Sequence, residues 1–113
     1  MILNQVDYRT KEENGKKYTA SEYILGDDLY EVVKYSTKYS DGTFYSRISV
    51  SRNREHEYLP DIYFEDGVFG NNKKEFKIQT TAYGALAPDE ILKVIDGYNT
   101  ALEAVKILTK NFC

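Results

Sequence analysis

The sequence predicts an α+β domain, an antiparallel meander of five or six strands packed on one face by a C-terminal α-helix. Three observations carry that expectation. Residues 1–83 alternate short extended runs with turn signals, and residues 88–111 repeat apolar side chains at helical spacing. A length of 113 residues suits a single domain with one core and no disulfide or metal staples. A lone helix and a one-sided sheet each need a cover, and covering each other is the economical two-layer arrangement.

Asn14-Gly15 marks a two-residue hairpin between extended segments at 2–9 and 16–25, and Gly26-Asp27-Asp28 supplies the next turn. Segments 29–39 and 43–52 flank Asp41-Gly42. Asp-Gly favours a type I′ loop, which sets Ser40 against Thr43 so that paired positions sum to 83. On that register Tyr39, Tyr35, Val33 and Glu31 face Phe44, Ile48, Val50 and Arg52 on an apolar side. Lys38, Ser36, Lys34 and Val32 face Tyr45, Arg47, Ser49 and Ser51 on a polar side. A one-residue slip would mix the two sets. Residues 53–61 form a charged loop ending at Leu59-Pro60, and residues 62–64 a short strand closed by Asp66-Gly67. After a turn at 70–73, Phe76, Ile78 and Ala82 alternate with Lys77, Gln79 and Thr81 in a last strand.

Gly84 ends the extended pattern, Pro88 suits the first helical position, and Asp89 and Glu90 suit the first turn. Ile91, Ile95, Tyr98, Leu102 and Val105 recur at spacings of four and three, and Val94, Ala101, Leu108 and Phe112 widen the stripe. A glycine in mid-helix costs roughly 1 kcal/mol, and Thr100 with Glu103 fits a capping box. A break near Gly97 into two shorter helices is therefore one reading. The apolar phase runs through Gly97 undisturbed, which favours a single helix. An open sheet leaves edges exposed, so a homodimer is expected through an edge or the uncovered face.

Composition narrows the chemistry. There are 15 Lys+Arg against 18 Asp+Glu, a net charge of −3, which argues against general affinity for nucleic acid or an anionic membrane. One histidine, His56, and one cysteine, Cys113, fall short of a zinc site, so no metal and no cofactor is expected. The start of the chain carries no basic and apolar leader, and no window reaches membrane-spanning length, so the expected location is cytoplasmic.

Arg47, Arg52, Arg54 and His56 form the most concentrated functional candidate, because arginine forks suit carboxylate and phosphate. Glu55 and Glu57 interleave that segment and Arg52 is expected opposite Glu31, which reads equally as a solvated, self-paired loop. His56 has no partner at the spacing of a general base, and nothing in the chain carries the inventory of an enzyme. Thr80, Thr81 and Tyr83 occupy the strand-to-helix connection, where free N–H groups can hold an anion.

Eleven tyrosines and five phenylalanines bring the aromatic share to 14%. Tyr35, Tyr39 and Tyr98 are expected in the core, whereas Tyr45 falls on the polar face near Arg47, with Tyr23 expected beside it and Tyr83 at the turn. Tyrosine and arginine are enriched where interfaces carry energy. The expectation is a small non-enzymatic protein that binds another protein through these residues. The alternative is a small-ligand binder holding a nucleotide-like anion between the 47–56 cluster and the 79–85 turn. In size, turn-rich meander and a bias of eleven lysines to four arginines, the chain resembles the small orphan proteins of phages and mobile elements in AT-rich bacteria. That resemblance implies an inhibitor that binds and blocks a host component, such as a defence protein.

Overall fold

The computed structural model describes residues 1–13, 16–38, 42, 44–65 and 75–113. Six strands and a helix follow in order: β1 (Leu3–Glu13), β2 (Lys16–Leu25), β3 (Tyr30–Lys38), β4 (Phe44–Arg52), β5 (Asp61–Glu65), β6 (Glu75–Gln79) and α1 (Pro88–Phe112). The first four form an antiparallel meander in the order β1-β2-β3-β4, and β5 pairs with β6 in a separate two-stranded sheet. The α+β class and the C-terminal helix are those predicted. The strands divide four and two because the 53–60 loop folds on itself after β4. Arg52 clamps that loop from within, and Pro60, buried and lacking an N–H, precedes β5.

The turn predicted at Gly26-Asp27-Asp28 is present and extends to Leu29, with Asp27 and Asp28 both left-handed at φ of 54° and 55°. Aspartate tolerates that region better than most residues. The Leu29 N–H donates back to the carbonyls of Leu25 and Gly26. The predicted turns at Asn14-Gly15, Asp66-Gly67 and 70–73 lie outside the described residues, as do Tyr39, Ser40, Asp41 and Thr43. β1 runs four residues past the predicted end at Arg9, and its register shifts at a bulge between Gln5 and Asp7.

The β3–β4 register departs from expectation by one residue. Tyr30 pairs with Arg52, Val32 with Val50, Tyr35 with Arg47 and Thr37 with Tyr45, so positions sum to 82. The slip moves Tyr35 off the apolar face and Val32 onto it. Burial explains the choice: Tyr30, Val32, Ile48 and Val50 now share one face and all are buried, with Leu25 beside them. The turn residues alone favoured the other register, but they fix only a local loop, whereas four buried side chains on one face outweigh it.

The core joins that face to Leu59, Ile62, Phe76, Ala101, Ala104 and Leu108. Helix α1 is continuous through Gly97 and buries Gly97, Ala101, Ala104 and Leu108. The predicted stripe is displaced, since Ile91, Ile95 and Leu102 remain 46%, 49% and 51% exposed. The cause is close approach. The helix lies against the backbone of Tyr58 and Leu59 at Gly97, so small residues occupy the inner face there and Ile91, Ile95 and Leu102 are turned outward. At its start, Glu90 accepts the Ala87 N–H at 3.1 Å, and Pro88 stands at the first helical position.

The molecule is elongated, with extents of 56 × 30 × 24 Å and a radius of gyration of 16.3 Å. A compact chain of this length would have a radius near ~13 Å. The core gathers at one end of the meander, and the other end, where the far halves of β1 to β4 pair, forms a projecting arm.

Candidate functional site

Register alone assembles the site. Arg9, Ala20, Tyr35 and Arg47 are opposite one another across β1, β2, β3 and β4, and Lys11, Tyr18, Thr37 and Tyr45 form the adjacent row. Both rows lie on the sheet face opposite Val32 and Val50, because side chains alternate along each strand. The small Ala20 and the buried Thr37 sit between larger neighbours, and the two rows surround a cavity of about 590 Å³. Tyr18 and Tyr35 are more than a third exposed there, Tyr45 is half-buried and Arg47 is exposed.

Charge is distributed unevenly over this face. Arg9 pairs with Asp7 at 3.4 Å and makes a closer ion pair with Glu22. The Arg47 guanidinium lies 4.8 Å from the centroid of the Tyr35 ring and has no carboxylate partner among the described residues. A cation over an aromatic face is attracted by the ring quadrupole, which favours Arg47 staying against Tyr35.

Of the residues singled out from sequence, Tyr45 and Arg47 are brought together in this cavity. Arg9, Lys11, Tyr18 and Tyr35 were missed. The signal for Tyr35 was its alternation with Thr37, readable only once the register is known. Tyr23 belongs elsewhere, on the helix-covered face, with its ring edge-on to Phe112 at 5.3 Å. That corrects its expected place beside Tyr45 and follows from the pairing of Tyr23 with the buried Val32.

Arg52 is a structural clamp. Its Nη1 donates to the carbonyls of Glu57 at 2.9 Å and Leu59 at 3.0 Å, and Nε lies 3.8 Å from Asp61. The expected pair with Glu31 does not form, because the register sets Glu31 against Ser51. Arg54 lines a second concavity of about 690 Å³ that also contains Arg52, Glu22, Asp28 and Glu31, a surface of mixed sign. His56 sits in the loop, its backbone N–H bonded to the Asn53 carbonyl.

The strand-to-helix connection is braced in the same way. The Thr81 N–H donates to Tyr98 Oη at 2.9 Å, and Tyr83 Oη donates to the Glu57 carbonyl at 3.5 Å. Thr80 lines a third concavity of about 440 Å³ with Tyr63 and Lys77. Tyr83 thus reaches Glu57, one residue past the 47–56 segment, and none of these three cavities is lined by residues of both 47–56 and 79–85. Of the residues expected to hold a ligand there, Arg52 Nη1 and Tyr83 Oη donate to loop carbonyls.

Two phenols are perturbed. Burial first, then the Asp61 carboxylate, pushes Tyr30 well above the ordinary value of 10.0, with Arg52 acting in the opposite direction; its Oη donates to the buried Pro60 carbonyl at 2.6 Å. Desolvation, then Glu90, which accepts its hydrogen bond at 3.3 Å, raises Tyr58. Tyr58 lies in the braced loop and Tyr30, on β3, holds that loop through the Pro60 carbonyl; neither lines the 590 Å³ cavity.

Among the described residues no cluster of three His, Cys, Asp or Glu side chains could hold a metal ion, and no helix is long and apolar enough to cross a membrane. The fold and site define a small α+β protein with an aromatic and basic sheet face that no described element covers. No protein-family model matches the chain, and neither the curated proteins nor the solved structures contain a match to it.

Proposed function

We propose that the protein is a non-enzymatic binding protein that engages another protein through the uncovered face of its four-stranded sheet. The observation that supports this is the pair of cross-strand rows, which sets Tyr18, Tyr35, Tyr45 and Arg47 side by side on a projecting arm. Tyrosine offers large, stiff contact area at low entropic cost, and Arg47 is pre-positioned by Tyr35. The cations on this face favour a partner surface bearing carboxylates. Occupying such a surface blocks it to others, which is how a small inhibitor of a host component acts.

Affinity capture from cells of the source organism tests this. The wild-type chain should retain a stoichiometric partner, and Tyr45→Ala with Arg47→Ala should weaken capture by roughly thirtyfold, as expected for central hot-spot residues. Lys77→Ala, exposed on β6, serves as the control and should leave capture unchanged. Undiminished capture by the double variant would remove the basis for this assignment.

A further inference from the structure

We propose that the cavity above Ala20 and Thr37 is a binding site for a nucleoside monophosphate, a flat aromatic ring carrying a single phosphate. This goes beyond the protein-partner reading and does not depend on it. Size is the first argument: about 590 Å³ falls inside the range of roughly 300–1,000 Å³ typical of small-ligand sites. Wall chemistry is the second. Three tyrosines line the cavity, and bases stack on phenol rings and on arginine planes alike. Arg47 Cζ lies 4.8 Å from the Tyr35 ring centroid, so both kinds of group stand together in the cavity wall.

Charge selects the phosphate. Arg47 has no carboxylate partner among the described residues, and its planar fork can grip two phosphate oxygens. Arg9, the other arginine lining the cavity, is balanced by Asp7 and Glu22. The cavity therefore offers one arginine fork without a carboxylate partner among the described residues, which suits one phosphate better than a polyphosphate. A nucleic-acid strand is disfavoured for a related reason. It needs a track of cations for successive phosphates, and here the cavity is flanked by Asp7 and Glu22 on a chain of net charge −3.

Calorimetry and amide chemical-shift titration of the full chain test the assignment. The probes are the four ribonucleoside monophosphates, adenosine, ribose 5-phosphate, a nucleoside triphosphate and a ten-nucleotide single strand. At least one monophosphate should bind at micromolar to sub-millimolar concentration and shift the amides of Ala20, Tyr35, Thr37 and Arg47. Adenosine and ribose 5-phosphate, each lacking half of the ligand, should bind at least tenfold more weakly. Arg47→Ala should lose at least tenfold, and Ala20→Leu, which fills the hollow, should abolish ring binding while the amide spectrum stays folded. No binding at millimolar monophosphate, equal binding of ribose 5-phosphate, tighter binding of the triphosphate or the single strand, or an unaffected Arg47→Ala would each overturn it. Partner capture is read separately, so any of these failures leaves the protein-binding proposal untouched.

Discussion

Replacing Gly97 by alanine separates helix propensity from packing with opposite signs. In an exposed helix the change would stabilise by roughly 1 kcal/mol. Here an added Cβ would fall 3.0 Å from the Tyr58 carbonyl carbon, closer still to its oxygen, and 3.5 Å from the Leu59 nitrogen. Ordinary carbon contacts lie at about 3.5–4.0 Å, so either the helix or the loop must shift. The loop is poorly placed to yield. Arg52 holds two of its carbonyls, Tyr30 holds the Pro60 carbonyl, and the Leu59 N–H is bonded to the His56 carbonyl. Overpacking a core costs about 1–3 kcal/mol, and a braced backbone neighbour argues for the upper end. Set against the propensity gain, the net loss is about 2 kcal/mol, or ~8 °C in Tm at roughly 4 °C per kcal/mol for a domain of this size. Urea titration followed by circular dichroism measures it, with an unchanged m-value showing that only stability moved. Asn99→Ala, exposed on the same helix, isolates the propensity effect and should be neutral or slightly stabilising. An unchanged or raised midpoint for Gly97→Ala would refute the close-approach account.

Other expectations follow from the same loop and helix. Arg52→Met should cost about 2 kcal/mol in urea titration, because it removes two charge-assisted hydrogen bonds, yet leave partner capture intact; a loss of capture at native stability would make Arg52 a contact residue instead. Glu90→Ala should cost about 1 kcal/mol by loss of the Ala87 cap, and Glu90→Gln much less, since the amide oxygen still accepts. Tyr30→Phe removes the bond to the Pro60 carbonyl and should cost about 1–3 kcal/mol at neutral pH. Because the folded-state pKa of Tyr30 is raised above the ordinary 10.0, its contribution is complete below that pH and is lost as pH climbs from there toward the folded value. Thermal melts in alkaline buffer should therefore decline more steeply for the wild type than for Tyr30→Phe, and parallel curves would contradict the assignment.

Much of the fold was legible because it is written locally. Asp27 and Asp28 mark a turn through their tolerance of positive φ, and Pro88 with Asp89 and Glu90 marks the helix start through backbone and dipole preferences. The site was half legible. Tyr45 and Arg47 alternate on one strand, so their shared face is a property of that strand alone. Their companions Tyr18, Arg9 and Lys11 come from other strands, and which residues stand opposite depends on registers that no local signal near them specifies.

By itself the sequence determined the class of fold, the order of its elements, the continuity of apolar phase through Gly97 and the pairing of Tyr45 with Arg47. Tertiary structure decided which face of each element is inside. The Asp41-Gly42 signal favoured one hairpin register, and the burial of Tyr30, Val32, Ile48 and Val50 together against the rest of the core fixed the other. The largest aliphatics of α1 pointed to one helix face, and the approach of the Tyr58 and Leu59 backbone turned the face of Gly97, Ala101 and Ala104 inward. Turn and cap preferences act over a few residues, whereas burial is settled by whatever surface arrives from elsewhere in the chain. The uncovered rows of tyrosine and basic residues are the consequence of that second kind of decision.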